Sequence, residues 1–218
     1  MTDVPPRRPV TVLLVDDHAV VREGYRRLLE QDASVRVVGE AASSAEALRR
    51  ESELQPDVTV LDIALPGVSG IETLRRILAR RPDARVLIFS MYQDGIYAQR
   101  ALEAGASGYL SKASAPERLV EAVRAVVAGR RYLSPDIERT LAARASPALE
   151  LAQSLSAREL EVLRLLTQGC DVAEAAQRLG VSAKTVANHQ TSIRQKLGAT
   201  NALQLMLVAR ELGLTVGD

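Results

Sequence analysis

Short apolar runs alternate five times with segments of helical periodicity between residues 10 and 130. The runs are VTVLLV (10–15), VRVVGE (35–40), DVTVLD (57–62), ARVLIFS (84–90) and SGYLS (107–111). They are rich in β-branched residues, and each has the length of a buried strand. Amphipathic segments near 19–30, 43–53, 70–80, 95–104 and 116–128 predict helices between and after them. Strand–helix alternation of this kind specifies a five-stranded parallel sheet covered on both faces. Right-handed crossovers then favour a flavodoxin-like, doubly wound α/β order.

Past Gly129 the strand pattern stops. SPDIERTLAARASPALELAQS (134–154) holds two Ser-Pro steps around one short helix, with Ser134 as its cap and Pro135 in its first turn. From 155 onward every apolar pattern is helical. Ser156-x-x-Glu159 opens one helix as a capping box, and segments at 171–180, 182–198 and 201–213 each start at Asp, Ser or Asn and are followed by or end at Gly. The chain therefore divides into a tail (1–9), an α/β domain (10–130), a linker (131–153) and a four-helix all-α domain (154–218).

Composition narrows the setting. Of 218 residues, 47% are apolar and 25% charged, with a net charge of +1, so any nucleic acid would have to be met by a local patch. Cys170 is the only cysteine, which excludes an intrachain disulfide and, with two histidines, disfavours structural zinc. MTDVPPRRPV lacks the apolar stretch of a signal peptide, and no uninterrupted apolar run reaches membrane-spanning length. The expectation is a cytoplasmic protein without a membrane partner. Only three of the 28 basic residues are lysines: Lys112, Lys184 and Lys196. Each retained lysine marks a place where a compact ammonium could matter.

Asp16 and Asp17 end the first strand and Asp62 ends the third. In a parallel sheet these ends share one edge, so three carboxylates converge where open α/β sheets place ligands. Packed acids of this kind call for a hard divalent cation, and oxygen ligands suit Mg²⁺. Ser90, ending the fourth strand, and Lys112, following the fifth, add a hydroxyl and an ammonium at the same edge. The set suits phosphoryl chemistry.

LLVDDHAVVREG, VLDIALPGVSG and ALEAGASGYLSK resemble the receiver domain of two-component response regulators over residues 10–130. The resemblance implies that Asp62 accepts a phosphoryl group and that Ser90 and Lys112 contact its oxygens. It also implies that Asp16, Asp17, Asp62 and the backbone carbonyl of Ala64 hold Mg²⁺, and that Tyr109 rearranges as the Ser90 hydroxyl moves inward. Ala113 stands where many receivers carry proline, a departure that removes no chemical group.

In the tail, VAEAAQRLG-V-SAKTVANHQTSIRQKL reads as helix, tight turn, helix. Val186, Ile193 and Leu197 form a core stripe with His189 between them, whereas Lys184, Asn188, Thr191 and Gln195 form a polar face without an acid. Arg178 to Arg210 holds five basic residues and no Asp or Glu. LSARELEVLRLLTQG, VSAKTVANH and IRQKLGA resemble the LuxR-type helix-turn-helix that ends NarL/FixJ-type regulators. That implies DNA contacts from Lys184, Thr185, Asn188, His189, Thr191, Gln195 and Lys196, and a dimerising last helix at 201–212. CDVAEAAQRL departs from the family by losing a basic residue on the first helix, which puts one backbone phosphate contact in doubt.

The composite implies a phosphoacceptor rather than an enzyme. Its expected partners are a sensor histidine kinase, promoter DNA, RNA polymerase and a second copy of the chain. Two other readings compete. A Mg²⁺-dependent phosphatase would need an acid two residues after Asp62, where Ala64 stands; a constitutive DNA-binding protein would use the first domain only as a scaffold.

Overall fold

The computed structural model describes residues 8–114, 116–142, 154–212 and 214. Most of the expected tail, the linker from 143 to 153 and the last four residues lie outside the described residues.

The α/β part follows the alternation in the sequence. Strands β1 (Val10–Val15), β2 (Val35–Ala41), β3 (Val58–Leu61), β4 (Val86–Ser90) and β5 (Gly108–Ser111) alternate with helices α1 (Ala19–Glu30), α2 (Ser44–Leu54), α3 (Gly70–Arg80), α4 (Gly95–Glu103) and α5 (Glu117–Val127). Successive residues along β1 serve opposite faces, with Leu13 and Val15 packing on one side of the sheet and Val12 and Leu14 on the other.

The sheet has six strands, not the expected five. Its order is β2-β1-β3-β4-β5-β6, all parallel. The extra strand, β6, is Tyr132–Leu133, from the segment read as linker. It pairs with Gly108 and Tyr109, covering a β5 edge whose backbone groups would otherwise be unpaired. Gly108 permits the approach, because a Cβ there would lie 2.6 Å from the Tyr132 carbonyl oxygen. Ser134 is buried; its N–H donates to the Tyr109 carbonyl at 3.1 Å, and its hydroxyl accepts from the Ser111 N–H at 3.3 Å. Helix α6 (Pro135–Ala142) then packs on α4.

The second domain comprises α7 (Ala157–Thr167), α8 (Val172–Leu179), α9 (Ala183–Leu197) and α10 (Ala202–Glu211). Ser156 and Asp171 form capping boxes with Glu159 and Glu174, and Ser182 and Asn201 cap the next two helices. Gly180 ends α8 with φ 62°, a left-handed turn that favours glycine.

One apolar cluster runs through both domains, from Leu61, Leu65 and Tyr97 to Leu160, Leu163 and Ile193. Helix α7 is buried nearly all round: Glu159, Leu160, Glu161, Val162 and Leu163 are five consecutive buried residues. A helix on the surface of a small bundle keeps a solvated face; here the receiver covers it. The Gly67 N–H donates to the Leu179 carbonyl at 3.0 Å, Arg100 donates to the Leu155 carbonyl at 2.5 Å, and Arg164 pairs with Asp94.

Gly70 opens α3 directly on the β3 end. A Cβ there would lie 2.7 Å from the Ile63 Cα and closer still to the Asp62 carbonyl, both backbone and unable to yield cheaply. Gly70→Ala is expected to destabilise the protein by about 1–3 kcal/mol in urea unfolding; an unchanged midpoint would contradict this packing.

Candidate functional site

Asp16 follows β1 and Asp62 follows β3, so their carboxylates meet beside the point where strand order reverses. They are 6% and 4% exposed. The Lys112 ammonium lies between them, 2.5 Å from Asp16 Oδ2 and in direct contact with Asp62 Oδ2. Burial pushes the Asp62 carboxyl up, against the pull of Lys112. Burial alone would lower the Lys112 ammonium, but the two carboxylates more than offset it and its pKa is raised.

Asp17 is partly exposed, with His18 Nδ1 2.7 Å from its Oδ1. Asp16, Asp17 and His18 each place a ligand atom within 4.8 Å of the others, a donor set that fits a divalent cation, while Asp62 is joined to Asp16 through Lys112. Ala64 is exposed, and its N–H donates to Asp62 Oδ1 at 3.3 Å. Ser90 is buried at the end of β4, and its hydroxyl accepts from the Tyr92 N–H at 3.3 Å. Tyr109 is wholly buried, its hydroxyl donating to the Tyr92 carbonyl at 2.7 Å. Lys112 thus touches both Asp16 and Asp62, while Ser90 and Tyr109 both hold the backbone of Tyr92.

In the second domain, Val186, Ile193 and Leu197 are buried and Lys184, Asn188, Thr191 and Gln195 are exposed on α9. Thr185 is half-buried and bonds the Ser182 cap through its N–H at 3.1 Å and its hydroxyl at 2.8 Å. His189 is half-buried, and burial lowers its pKa, which favours the neutral ring at pH 7. Lys196 differs from the other residues expected at DNA. Its ammonium lies 2.7 Å from Glu159 Oε2, while the Ser192 hydroxyl donates to Oε1 at 2.6 Å, so Lys196 braces α9 on α7.

Residues 12–124 match the response regulator receiver domain family, and residues 153–209 match the luxR family of bacterial regulatory proteins. The chain is a NarL/FixJ-type response regulator. Such regulators control transcription, and the fold joins the two parts that this requires. The regulator is 40% identical over 207 residues to the transcriptional activator protein ExaE of Pseudomonas putida, covering 93% of this chain and 97% of that protein. It is 34% identical to the response regulator GacA of Pseudomonas aeruginosa over 94% of this chain and 97% of that one. It also resembles the structure of RcsB from Salmonella enterica serovar Typhimurium bound to promoter P1flhDC with phosphomimetic BeF₃⁻. That likeness has a TM-score of 0.66 at 28% identity, over 94% of this chain and 100% of that one.

The regulator also contains a contact surface that its local sequence patterns do not reveal. Tyr92 stacks on Tyr97 with ring centroids 4.3 Å apart, and the Arg164 guanidinium lies over the Tyr92 ring at 4.6 Å. Burial pushes the Tyr92 phenol well up, so it stays protonated at physiological pH. Arg158 donates to the Leu179 carbonyl that also accepts from Gly67, and to Glu161 at 2.5 Å. The charged residues on α7 read in the sequence as an ordinary solvated helix face, so no local signal marks this contact.

Glu159 yields a pH-dependent prediction. Burial alone would raise its carboxyl, but Lys196, the Ser156 N–H and Ser192 bring it down to about 2. A depressed carboxyl contributes stability above its unfolded value, near 4.5, and loses it as pH falls toward 2. Glu159→Gln is expected to cost about 1–3 kcal/mol at pH 7 and almost nothing near pH 2, read by urea unfolding across pH. A cost independent of pH would contradict the role of the charge.

Proposed function

We propose that Asp62 is the phosphoacceptor and that its phosphorylation releases the DNA-binding domain. A carboxylate oxygen of Asp62 attacks phosphorus as the P–N bond of a kinase phosphohistidine breaks, leaving the acyl phosphate on Asp62 and the imidazole on the kinase. The Lys112 ammonium exchanges Asp16 for phosphoryl oxygens, and the Ser90 hydroxyl moves in to donate to another. Asp16, Asp17, Asp62 and the Ala64 carbonyl would hold Mg²⁺, which when bound would offset part of the charge on the phosphoryl oxygens during transfer. No second acid stands at Ala64 to protonate an external leaving group, so the acyl phosphate is a signal, lost only by slow hydrolysis.

The observation that carries this reading is the short stretch from Asp62 to Gly67. The loop that follows the phosphoacceptor also donates a hydrogen bond to the helix-turn-helix at Leu179. At the same place Gly180 meets Pro66: a Cβ on it would come within 3.0 Å of the Pro66 Cβ. Duplex DNA approaching the amino-terminal end of α9 would meet this receiver loop. Movement of Ser90 toward a phosphoryl group also disturbs Tyr92, which seats Arg164. Once free, Lys184, Asn188, Thr191 and Gln195 face the major groove, and a neutral His189 can pack or donate to a phosphate. Leu203 and Leu207 on α10, 70% and 53% exposed, form an apolar face for pairing two copies on two half-sites. A sensor kinase upstream and RNA polymerase at the promoter complete the expected partners. The described residues contain no helix long and apolar enough to cross a membrane, and a promoter-DNA partner favours a cytoplasmic location.

With acetyl phosphate and Mg²⁺, wild type is expected to tighten on duplex DNA by tenfold or more (on the order of) in fluorescence anisotropy, and Asp62→Asn to show no change. An equal response from both proteins would refute the assignment of Asp62; no response from either would make the receiver a scaffold. On the DNA side, Asn188→Ala is expected to cost about 1–3 kcal/mol and relax base preference, whereas Lys184→Ala should weaken all sequences alike and reduce the salt slope by about one. Binding titrations across salt and sequence check both; a uniform loss for Asn188→Ala would remove it from base readout.

A further inference from the structure

Among the polar groups buried between the domains, Glu161 stands apart. It is mid-helix on α7 and 0% exposed. Its Oε2 accepts from Arg158 at 2.5 Å, while Oε1 has no well-aligned donor and faces the hydroxyl of Ser69 on the receiver. Ser69 is buried at the start of α3, where its hydroxyl caps no backbone N–H. The next residue, Gly70, lies on the backbone of Asp62 and donates to the Ile63 carbonyl at 2.8 Å. Docking therefore carries a buried carboxylate of the DNA-binding domain onto the residues that abut the phosphoacceptor.

The surroundings compensate that charge only in part. Arg158, on the same helix, divides its guanidinium between Glu161 and the Leu179 carbonyl. Arg164, one turn on, is committed to Asp94 and the Tyr92 ring. From the receiver, Ser69 is neutral, the Tyr92 phenol stays protonated and Asp62 is itself an acid. Burial pushes the Glu161 carboxyl up and the Asp62 charge adds to that push, the direction expected of two like charges sharing a poorly solvated region.

We propose that Glu161 is the group through which the DNA-binding domain senses the phosphoryl charge. With one negative charge at Asp62 the docked state is tolerated; with the added charge of a phosphoryl group it is repelled, and the domain leaves. The coupling acts through the field of a buried carboxylate, alongside any movement of Ser90 and Tyr109. It rests on Asp62 being the phosphoacceptor. Linkage makes it reciprocal: docking disfavours the phosphoryl group by the factor with which the phosphoryl group disfavours docking.

The test uses full-length wild type, Glu161→Gln and Ser69→Ala, with a duplex enriched from a random pool by the wild-type protein. Each is treated with acetyl phosphate and Mg²⁺, acyl phosphate is measured by intact mass, and DNA affinity by anisotropy before and after. Glu161→Gln keeps the shape and the Arg158 bond, so it should be phosphorylated as fully as wild type yet lose about fivefold or more of the gain in DNA affinity. A full gain in that variant overturns the proposal. Ser69→Ala leaves the second domain untouched and removes the receiver hydroxyl facing Glu161; it should raise DNA affinity before phosphorylation, and an unchanged affinity overturns the proposal even if Glu161→Gln fails to fold. Wild type that takes up no phosphoryl group overturns the phosphoacceptor reading and this one with it, whereas phosphorylated variants that respond like wild type overturn this one alone.

Discussion

Two buried carboxylates share one ammonium at the edge of the sheet, and the rest of the molecule is arranged around that contact. Asp16 and Asp62 are 6% and 4% exposed, and the Lys112 ammonium between them supplies the compensating charge that such burial requires. Three strands must end at the same level to bring the groups together, which fixes the register of β1, β3 and β5. The arrangement is balanced for one charge state only. A phosphoryl group changes the charge, and the ammonium must be redistributed.

Under the proposed function, that redistribution would reach the DNA-binding domain through contacts made by two segments next to the site. The loop after Asp62 bonds Leu179, and the segment after Ser90 seats Arg164 through Tyr92 and Asp94. Tyr109 sits behind both, its hydroxyl on the Tyr92 carbonyl and its own carbonyl bonded to Ser134 at the head of α6. The strand that carries Tyr109 is therefore tied to the segment leading into the second domain. Docking costs the burial of Arg158, Glu161 and Arg164, an interface held by ion pairs as well as apolar contact. Such an interface is sensitive to charge in a way that a purely apolar one is not.

Most of the architecture was legible in the sequence because it is local. Strand and helix periods, capping residues such as Ser156 and Asp171, and glycine at Gly180 each act within a few residues, and the edge acids follow from the parallel topology. The sixth strand was not legible: Tyr132–Leu133 is too short to show alternation, and it forms only because β5 offers an open edge beside Gly108. Nor was the role of Lys196, which the family resemblance put among the DNA contacts but which Glu159 draws to the neighbouring helix. The domain contact was the least visible element. Glu161 and Arg164 look like solvated charges on an amphipathic helix until a second surface covers them, and no local pattern announces that surface.

Under the proposed function, phosphorylation opens the contact between the receiver loop and the helix-turn-helix. The Gly67 N–H, held by the Leu179 carbonyl at 3.0 Å, is a direct reporter, because it loses its partner when the domains part. Amide hydrogen exchange at Gly67, followed by NMR with and without beryllofluoride and Mg²⁺, measures that event in the intact protein. The account requires a protected amide that exchanges at least tenfold faster (on the order of) once the phosphoryl mimic is bound. Protection unchanged by the mimic, in protein shown to have bound it, would contradict it.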